Sequence, residues 1–169
     1  VSDGALTDTQ AIAVTVTNVN EAPVITSDGA GAGATRNAAE NSTAVTTVTA
    51  TDVDAATTFT YSISGGADAA KFAIDSSTGV LTFVAAPDFE TPTDVGANNI
   101  YDVTVQVSDA NGGIDTQALA VTVTNQNEVP TITSNGGGNI AAASIAENTT
   151  AVTTVTASDP DTGQTLSYS

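Results

Sequence analysis

The sequence predicts an all-β protein built as seven-stranded antiparallel Greek-key sandwiches in tandem. Three observations carry this: apolar and polar residues alternate with period two, turn residues separate the alternating runs, and a unit recurs at a fixed spacing. Nothing keeps a 3.6-residue period over a useful length, so no helix is expected.

Residues 39–54 (AENSTAVTTVTATDVD) recur 107 residues later at 146–161 (AENTTAVTTVTASDPD), differing at three positions. The same offset carries residues 8–18 (DTQAIAVTVTN) onto 115–125 (DTQALAVTVTN), and Pro23 onto Pro130. A unit of this length suits one sandwich domain rather than a turn of a solenoid. We read residues 1–19 as the tail of one repeat, 20–126 as a complete repeat, and 127–169 as the start of a third.

Within the complete repeat the elements follow in order. Residues 24–26 form a short apolar-threonine strand after the proline. The Gly- and Ala-rich residues 27–38 read as a surface loop. Residues 44–51 form the next strand, and the spacing of Val45 and Val48 breaks alternation and predicts a bulge. Strands follow at 58–64, 72–74 and 80–84, the last entered through the turn Ser76-Ser77-Thr78-Gly79. Tyr101, Val103, Val105 and Val107 share one face of a strand over 101–107. Leu119, Val121 and Val123 do the same in the last strand, and Asn111-Gly112-Gly113 supplies the hairpin turn between them. The earlier copy of that last strand, near residues 8–18, carries the same alternation.

Composition narrows the function. Two basic residues, Arg36 and Lys71, face 19 acidic ones, a formal charge of −17. Such a field repels nucleic acid and anionic lipid and draws cations. There are enough Val, Ile, Leu and Phe for a core, so this is not a disordered acidic tail. No Cys is present, so disulfides and thiolate metal sites are excluded. No stretch is apolar enough to span a membrane, and the first residues do not resemble a signal peptide. The chain reads as a window from a longer polypeptide.

The acids cluster in loops. Glu40 precedes a strand; Asp52 and Asp54 follow it as D-x-D; Asp88 and Glu90 form D-x-E in a Pro-flanked connection; Asp109 ends a strand. Loops of a sandwich alternate between its two poles. Glu40, Asp88 and Glu90 therefore fall at the outgoing linker with Glu128, Asp159 and Asp161, while Asp52, Asp54 and Asp109 fall at the incoming one. Six uncompensated negative charges should splay the linker unless a cation binds. Ca²⁺, which takes six to eight oxygen ligands in flexible geometry, suits this donor set. Mg²⁺ demands tighter octahedral packing, and the lack of His and Cys disfavours zinc and copper.

The ordered motifs A-E-N, V-T-A-T-D-x-D, Y-S-I, F-x-I-D-x-x-T-G, P-D-F-E, Y-x-V-x-V-x-V-S-D and N-x-N-E-x-P resemble the cadherin repeat of large bacterial surface adhesins and related secreted proteins. The resemblance covers essentially the whole chain. It implies immunoglobulin-like sandwiches with Ca²⁺ at each interdomain junction. It implies as ligands Glu40, Asp88, Glu90, Asn127 through its carbonyl, Glu128, Asp159 and Asp161 at the later junction. At the earlier one it implies Asn20, Glu21, Asp52, Asp54 and Asp109. Asn18 and Asn125 stand where the family usually has Asp, which implies weaker affinity or one ion fewer.

The function expected is a non-catalytic, calcium-stiffened rod segment of an extracellular adhesin at the cell surface. The alternative is a building block of a self-associating extracellular fibre or surface-layer-like assembly. Its partners would be neighbouring repeats of the same polypeptide, identical chains or cell-surface ligands, with neither nucleic acid binding nor membrane insertion. Asp88 and Glu90 do not suit glycoside hydrolysis: two apart on an extended segment, they point to opposite sides, and no Trp offers a sugar platform. Asp68, Asp75, Asp94, Asp102 and Asp115 match no ligand position and are expected to serve turns and loops. Phe89 is expected to pack.

Overall fold

The computed structural model describes residues 1–54 and 57–169. Eleven short strands and three 3-10 turns form it, with no α-helix among the described residues. The strands are β1 (Val24–Ile25), β2 (Gly33–Ala39), β3 (Ala44–Thr47), β4 (Ala50–Thr51), β5 (Thr60–Gly65), β6 (Phe72–Ile74), β7 (Val80–Phe83), β8 (Ile100–Ser108), β9 (Ile114–Thr124), β10 (Thr131–Ile132) and β11 (Ala157–Ser158).

Two sheets enclose one core. A four-stranded sheet has the order β2-β9-β8-β5, and a three-stranded sheet has the order β3-β7-β6. The alternation in β8 and β9 selects the inner face: Tyr101, Val103, Val105, Val107, Gln117, Leu119, Val121 and Val123 are all buried. All but Gln117 meet Val45, Phe72, Leu81 and Phe83 from the other sheet in a single hydrophobic cluster. Phe72 stacks on Phe83 with ring centroids 4.7 Å apart, and Tyr101 meets Phe83 edge-on at 5.2 Å. The Tyr101 hydroxyl sits at the core's margin and accepts a bond from the Thr93 N–H (3.1 Å).

The antiparallel expectation fails at one edge. Residues 27–38 were expected to form a loop, but most of this stretch belongs to β2, which runs parallel to β9 from Gly33↔Ala118 to Ala39↔Thr124. Its Gly, Ala, Thr and Asn composition carries little strand propensity, and tertiary pairing overrides it. Gln117 helps to direct the chain there. Its side chain is fully buried, and Nε2 donates to the carbonyls of Ser27 (3.3 Å) and Gly31 (3.1 Å). The Ala118 N–H then donates to Ala32 O (2.9 Å), bringing the chain onto the β9 edge.

The expected strand over 44–51 divides in two. β3 pairs with β7, with a register shift between Ala44 and Thr46, and β4 pairs with β1. Val45 and Val48, three apart, both face the core because of that irregularity. Asp28 anchors the turn before β2, accepting from Thr46 Oγ1 (3.2 Å) and pairing with Arg36 Nε (3.0 Å).

The β1–β4 pair recurs 107 residues later. Thr131 and Ile132 of β10 face Ser158 and Ala157 of β11, as Val24 and Ile25 face Thr51 and Ala50. Thr133 and Thr156 repeat the hydroxyl contact of Thr26 and Thr49, each at 3.1 Å. Asn135 takes the place of Asp28, with the same left-handed backbone and the same threonine contact.

One further expectation fails. The strand expected near residues 8–18 does not form, although 115–125 is nearly identical and lies almost wholly in β9. The difference is pairing: β9 lies between β8 and β2, whereas Ile12, Val14 and Val16 stay exposed and unpaired.

Candidate metal centre at the linker

Five of the acids named from the sequence converge where β9 runs out into the linker. Glu40 follows β2, Asp88 and Glu90 lie between β7 and β8, Glu128 is in the linker, and Asp161 follows β11. Glu40, Asp88 and Glu90 each present an oxygen so that all three lie within 4.8 Å of one another. Glu90, Glu128 and Asp161 form a second such triad. Glu90 belongs to both.

Backbone groups fix the first triad. Glu40 is buried, accepting from the N–H of Gln126 at Oε1 (2.6 Å) and of Phe89 at Oε2 (2.8 Å). It thereby joins the linker to the D-x-E connection. Asp88 Oδ1 accepts from the Thr91 N–H (2.9 Å). Phe89, between the two ligand candidates, packs against the core.

The second triad is held by amides that the sequence reading did not single out as donors. Asn125 Nδ2 donates to Glu90 Oε1 and to Asp161 Oδ1, each at 2.7 Å. Asn41 Nδ2 donates to Glu128 Oε1 (2.5 Å), and the Glu128 N–H donates to Asp161 Oδ2 (2.8 Å). Gln164 Nε2 donates to Asn127 Oδ1 (2.6 Å). The facing carboxylates of Glu90 and Asp161 are therefore bridged by a neutral N–H₂ donor. The signal in the sequence was the Asn and Gln beside Glu40 and Glu128, which composition alone does not distinguish from linker polarity.

Electrostatics records the crowding. Burial, with the charges of Glu40, Glu128 and Asp161 adding to it, pushes the Glu90 carboxyl up from its ordinary value. At Glu128 the largest single influence, the Asn41 amide, favours the charged form. Burial and the charges of Glu40, Asp161 and Asp88 outweigh it, and the carboxyl is raised. Asp161 is held below its ordinary value, first by the Glu128 N–H and then by Asn125.

The other candidates are placed differently. Asp159 lies outside both triads, its Oδ1 accepting the Asp161 N–H (3.0 Å) in the local turn, and Asn127 turns its amide onto Glu128 O (3.1 Å). At the earlier linker, Asn20 Nδ2 donates to Asp109 Oδ2 (2.7 Å), which with the backbone of Asn111 and Gly113 keeps that carboxyl below its ordinary value. Asp54 accepts from Asn18 Nδ2 (2.6 Å) and from the Glu21 N–H (3.0 Å), and Asp52 Oδ1 accepts the Asp54 N–H (2.8 Å). No acid triad forms at this linker among the described residues.

The donor set fits a hard cation. Two carboxylate oxygens, Glu128 Oε2 at the later linker and Asp52 Oδ2 at the earlier one, are buried without a hydrogen-bond partner. Such orphans are costly, and a cation would satisfy them. Carboxylate, carboxamide and backbone carbonyl oxygens are calcium's ligands.

A family model described as the cadherin domain matches residues 33–124, more than half of the chain. The chain belongs to the cadherin family. Solved cadherin structures share its fold. Protocadherin gamma B7 extracellular cadherin domains 1–4 align at 25% identity with a TM-score of 0.51, covering 84% of this chain and 34% of that one. A cis-dimer structure of protocadherin gamma B7 domains EC3–6 aligns at 25% identity and 0.50, covering 68% and 26%. The human desmocollin-1 ectodomain aligns at 21% identity and 0.52, covering 85% and 27%, a likeness of fold alone. This cadherin chain thus spans about a quarter to a third of the length of those solved chains. No curated protein matches it in sequence. No helix among its described residues is long and apolar enough to cross a membrane.

Proposed function

We propose that this cadherin chain is a non-catalytic, calcium-binding segment of an extracellular bacterial adhesin, a rod of tandem repeats stiffened by Ca²⁺ at its junctions. In this reading 20–126 is a complete seven-stranded Greek-key repeat, 1–19 the tail of the preceding one and 127–169 the start of the next. The observation that carries the reading is Glu128: it shares a triad with Glu90 and Asp161, and its Oε2 is buried with no partner.

Glu40, Asp88 and Glu90 precede the linker, whereas Asp161 follows it and Glu128 lies within it. Ca²⁺ bound there would supply the positive charge that these groups lack, joining both sides of the linker. Glu90, shared by the triads, would feel two ions at once. Asn127 and Asp159 complete the proposed set at this junction. Asn20, Glu21, Asp52, Asp54 and Asp109 form the corresponding set at the earlier one, where the preceding repeat would contribute its own Glu and D-x-E. The immediate partners are neighbouring repeats of the same polypeptide.

Calorimetric titration of the chain with calcium tests this. Binding that saturates by millimolar Ca²⁺ and weakens sharply in Glu90→Gln supports the reading; no heat up to millimolar Ca²⁺ refutes it. Sedimentation in calcium separates the spacer, which stays monomeric, from the alternative self-associating fibre.

A further inference from the structure

Four places in the chain put Asn or Asp directly before glycine: Asp3-Gly4, Asp28-Gly29, Asn111-Gly112 and Asn135-Gly136. At such a pair the glycine nitrogen can attack the preceding side-chain carbonyl carbon, because no Cβ shields it. A held side chain resists this, and three of the four are held. Asp3 Oδ1 accepts from the N–H groups of Ala5 (2.9 Å) and Leu6 (2.8 Å). Asp28 pairs with Arg36 and accepts from Thr46 Oγ1, and Asn135 Oδ1 accepts from Thr153 Oγ1 (3.0 Å). Asn111 differs. It is exposed in the turn between β8 and β9, and neither its carboxamide nor the Gly112 N–H has a hydrogen-bond partner among the described residues.

This turn is built closely against the incoming linker. Asp109 is buried; its Oδ1 accepts from the N–H groups of Asn111 (2.7 Å) and Gly113 (2.9 Å), and its Oδ2 accepts from Asn20 Nδ2. The Asp109 N–H donates to Gly113 O (3.2 Å). A Cβ on Gly113 would run into Asp109 Oδ2 and lie 2.8 Å from Ala22 Cα, so nothing larger than glycine fits between them. The peptide bond from Asn111 to Gly112 lies inside the loop that Asp109 closes.

We propose that Asn111 is a site of spontaneous modification: its carboxamide is lost through a cyclic imide with Gly112, and the isoaspartyl product displaces the incoming linker. The Gly112 nitrogen bonds to Asn111 Cγ, and the carboxamide nitrogen leaves as ammonia, carrying away the Gly112 proton. Water then opens the ring. Attack at Cγ breaks the bond just made and leaves aspartate; attack at the main-chain carbonyl carbon breaks the original peptide bond and leaves isoaspartate. One water is taken up for each ammonia released, and no oxidant or cofactor enters. Isoaspartate routes the main chain through the side-chain carbons, adding one methylene between the two N–H groups that Asp109 holds. Gly113 then cannot keep its place against both Asp109 and Ala22. In the upstream copy the turn is one residue shorter and its acid, Asp3, is held, so the modification is particular to this turn. Neither the chemistry nor its effect on the linker rests on the calcium reading.

The test incubates the full chain in mildly alkaline buffer. Peptide mapping by mass spectrometry reads amide loss at each asparagine, and electron-transfer fragmentation separates isoaspartate from aspartate. Asn111 should convert several-fold faster than Asn135, with isoaspartate the main product. Thr153→Ala, at an exposed position, should raise the Asn135 rate toward that of Asn111. In two-dimensional NMR the isoaspartyl form, separated by anion exchange, should shift the amide peaks of Gly113, Ala22 and Asn20. Asn111→Asp, which carries the new charge without the methylene, should leave Ala22 in place. The proposal is overturned if Asn111 converts no faster than Asn135, if Thr153→Ala leaves the Asn135 rate unchanged, or if Ala22 moves no more in the isoaspartyl form than in Asn111→Asp.

Discussion

Asp68→Asn separates an acid that builds the fold from the acids that face the linker. Asp68 is 4% exposed, and its two oxygens accept from the N–H groups of Val95 (2.8 Å) and Asp102 (2.9 Å). It thereby ties the connection before β8, and β8 itself, to the 3-10 turn Ala69–Lys71. Asparagine keeps one acceptor and turns an N–H₂ toward the other donor, leaving one buried N–H unpaired and weakening the remaining bond. Bonds to charged groups contribute about 1.5–3 kcal/mol, and an orphaned buried donor costs about 1–3 kcal/mol. These are two views of one lost contact, so the expected loss is about 1.5–3 kcal/mol. For a domain of this size each kcal/mol shifts Tm by about 4–8 °C, so a fall of about 6–24 °C is predicted. Circular dichroism melts in EDTA read this directly, and a calcium titration of the same variant should give the parent's midpoint. A Tm change below about 2 °C, or a calcium midpoint moved several-fold with the fold intact, would refute the assignment of Asp68 to structure.

Other predictions concern the linker. Glu90→Gln, which removes the acid common to both triads, should weaken calcium uptake more than Asp159→Ala does, since Asp159 stands outside them. Asp115→Asn should leave the calcium midpoint unchanged, because Asp115 serves β1 by accepting the Ile25 N–H (2.8 Å). Acidity should act in two opposed ways on the calcium-free junction. Glu90 and Glu128 bind protons more readily in the folded state, so stability rises as pH falls through their raised values toward the ordinary 4.5. Asp109 and Asp161 have depressed values, so their contribution is present above 3.8 and is lost as pH falls below it. Melts in EDTA from pH 7 to pH 3 should therefore pass through a maximum, and calcium binding should weaken as pH falls toward 4.5 and protons compete for Glu90 and Glu128.

Much of this was legible where residue type and periodicity act locally. Tyr101, Val103, Val105 and Val107 declare an inward face, and Val45 with Val48 declares an irregularity; burial and register bear both out. Strand existence proved less local. DTQAIAVTVTN is extended without partners, whereas DTQALAVTVTN lies almost wholly in β9 because β8 and β2 supply its hydrogen bonds. Conversely, residues 33–39 have a loop's composition and form β2, drawn onto β9 beside the carbonyls that Gln117 holds. At the linker the acids could be grouped by counting poles, because loop polarity follows from strand number alone. The roles of Asn41, Asn125 and Gln164 could not: whether an amide faces solvent or a carboxylate depends on the approach of segments 35 to 87 residues apart in sequence.

The central claim is that a cation joins the two sides of the linker through Glu90, Glu128 and Asp161. A crystal structure of the chain at saturating calcium tests it most directly. An ion is expected about 2.3–2.6 Å from oxygens of all three residues, with Glu128 Oε2 among its ligands. It would be contradicted by a calcium-saturated crystal in which Glu128 Oε2 remains unpartnered and Asn125 still bridges Glu90 and Asp161, with no ion between them.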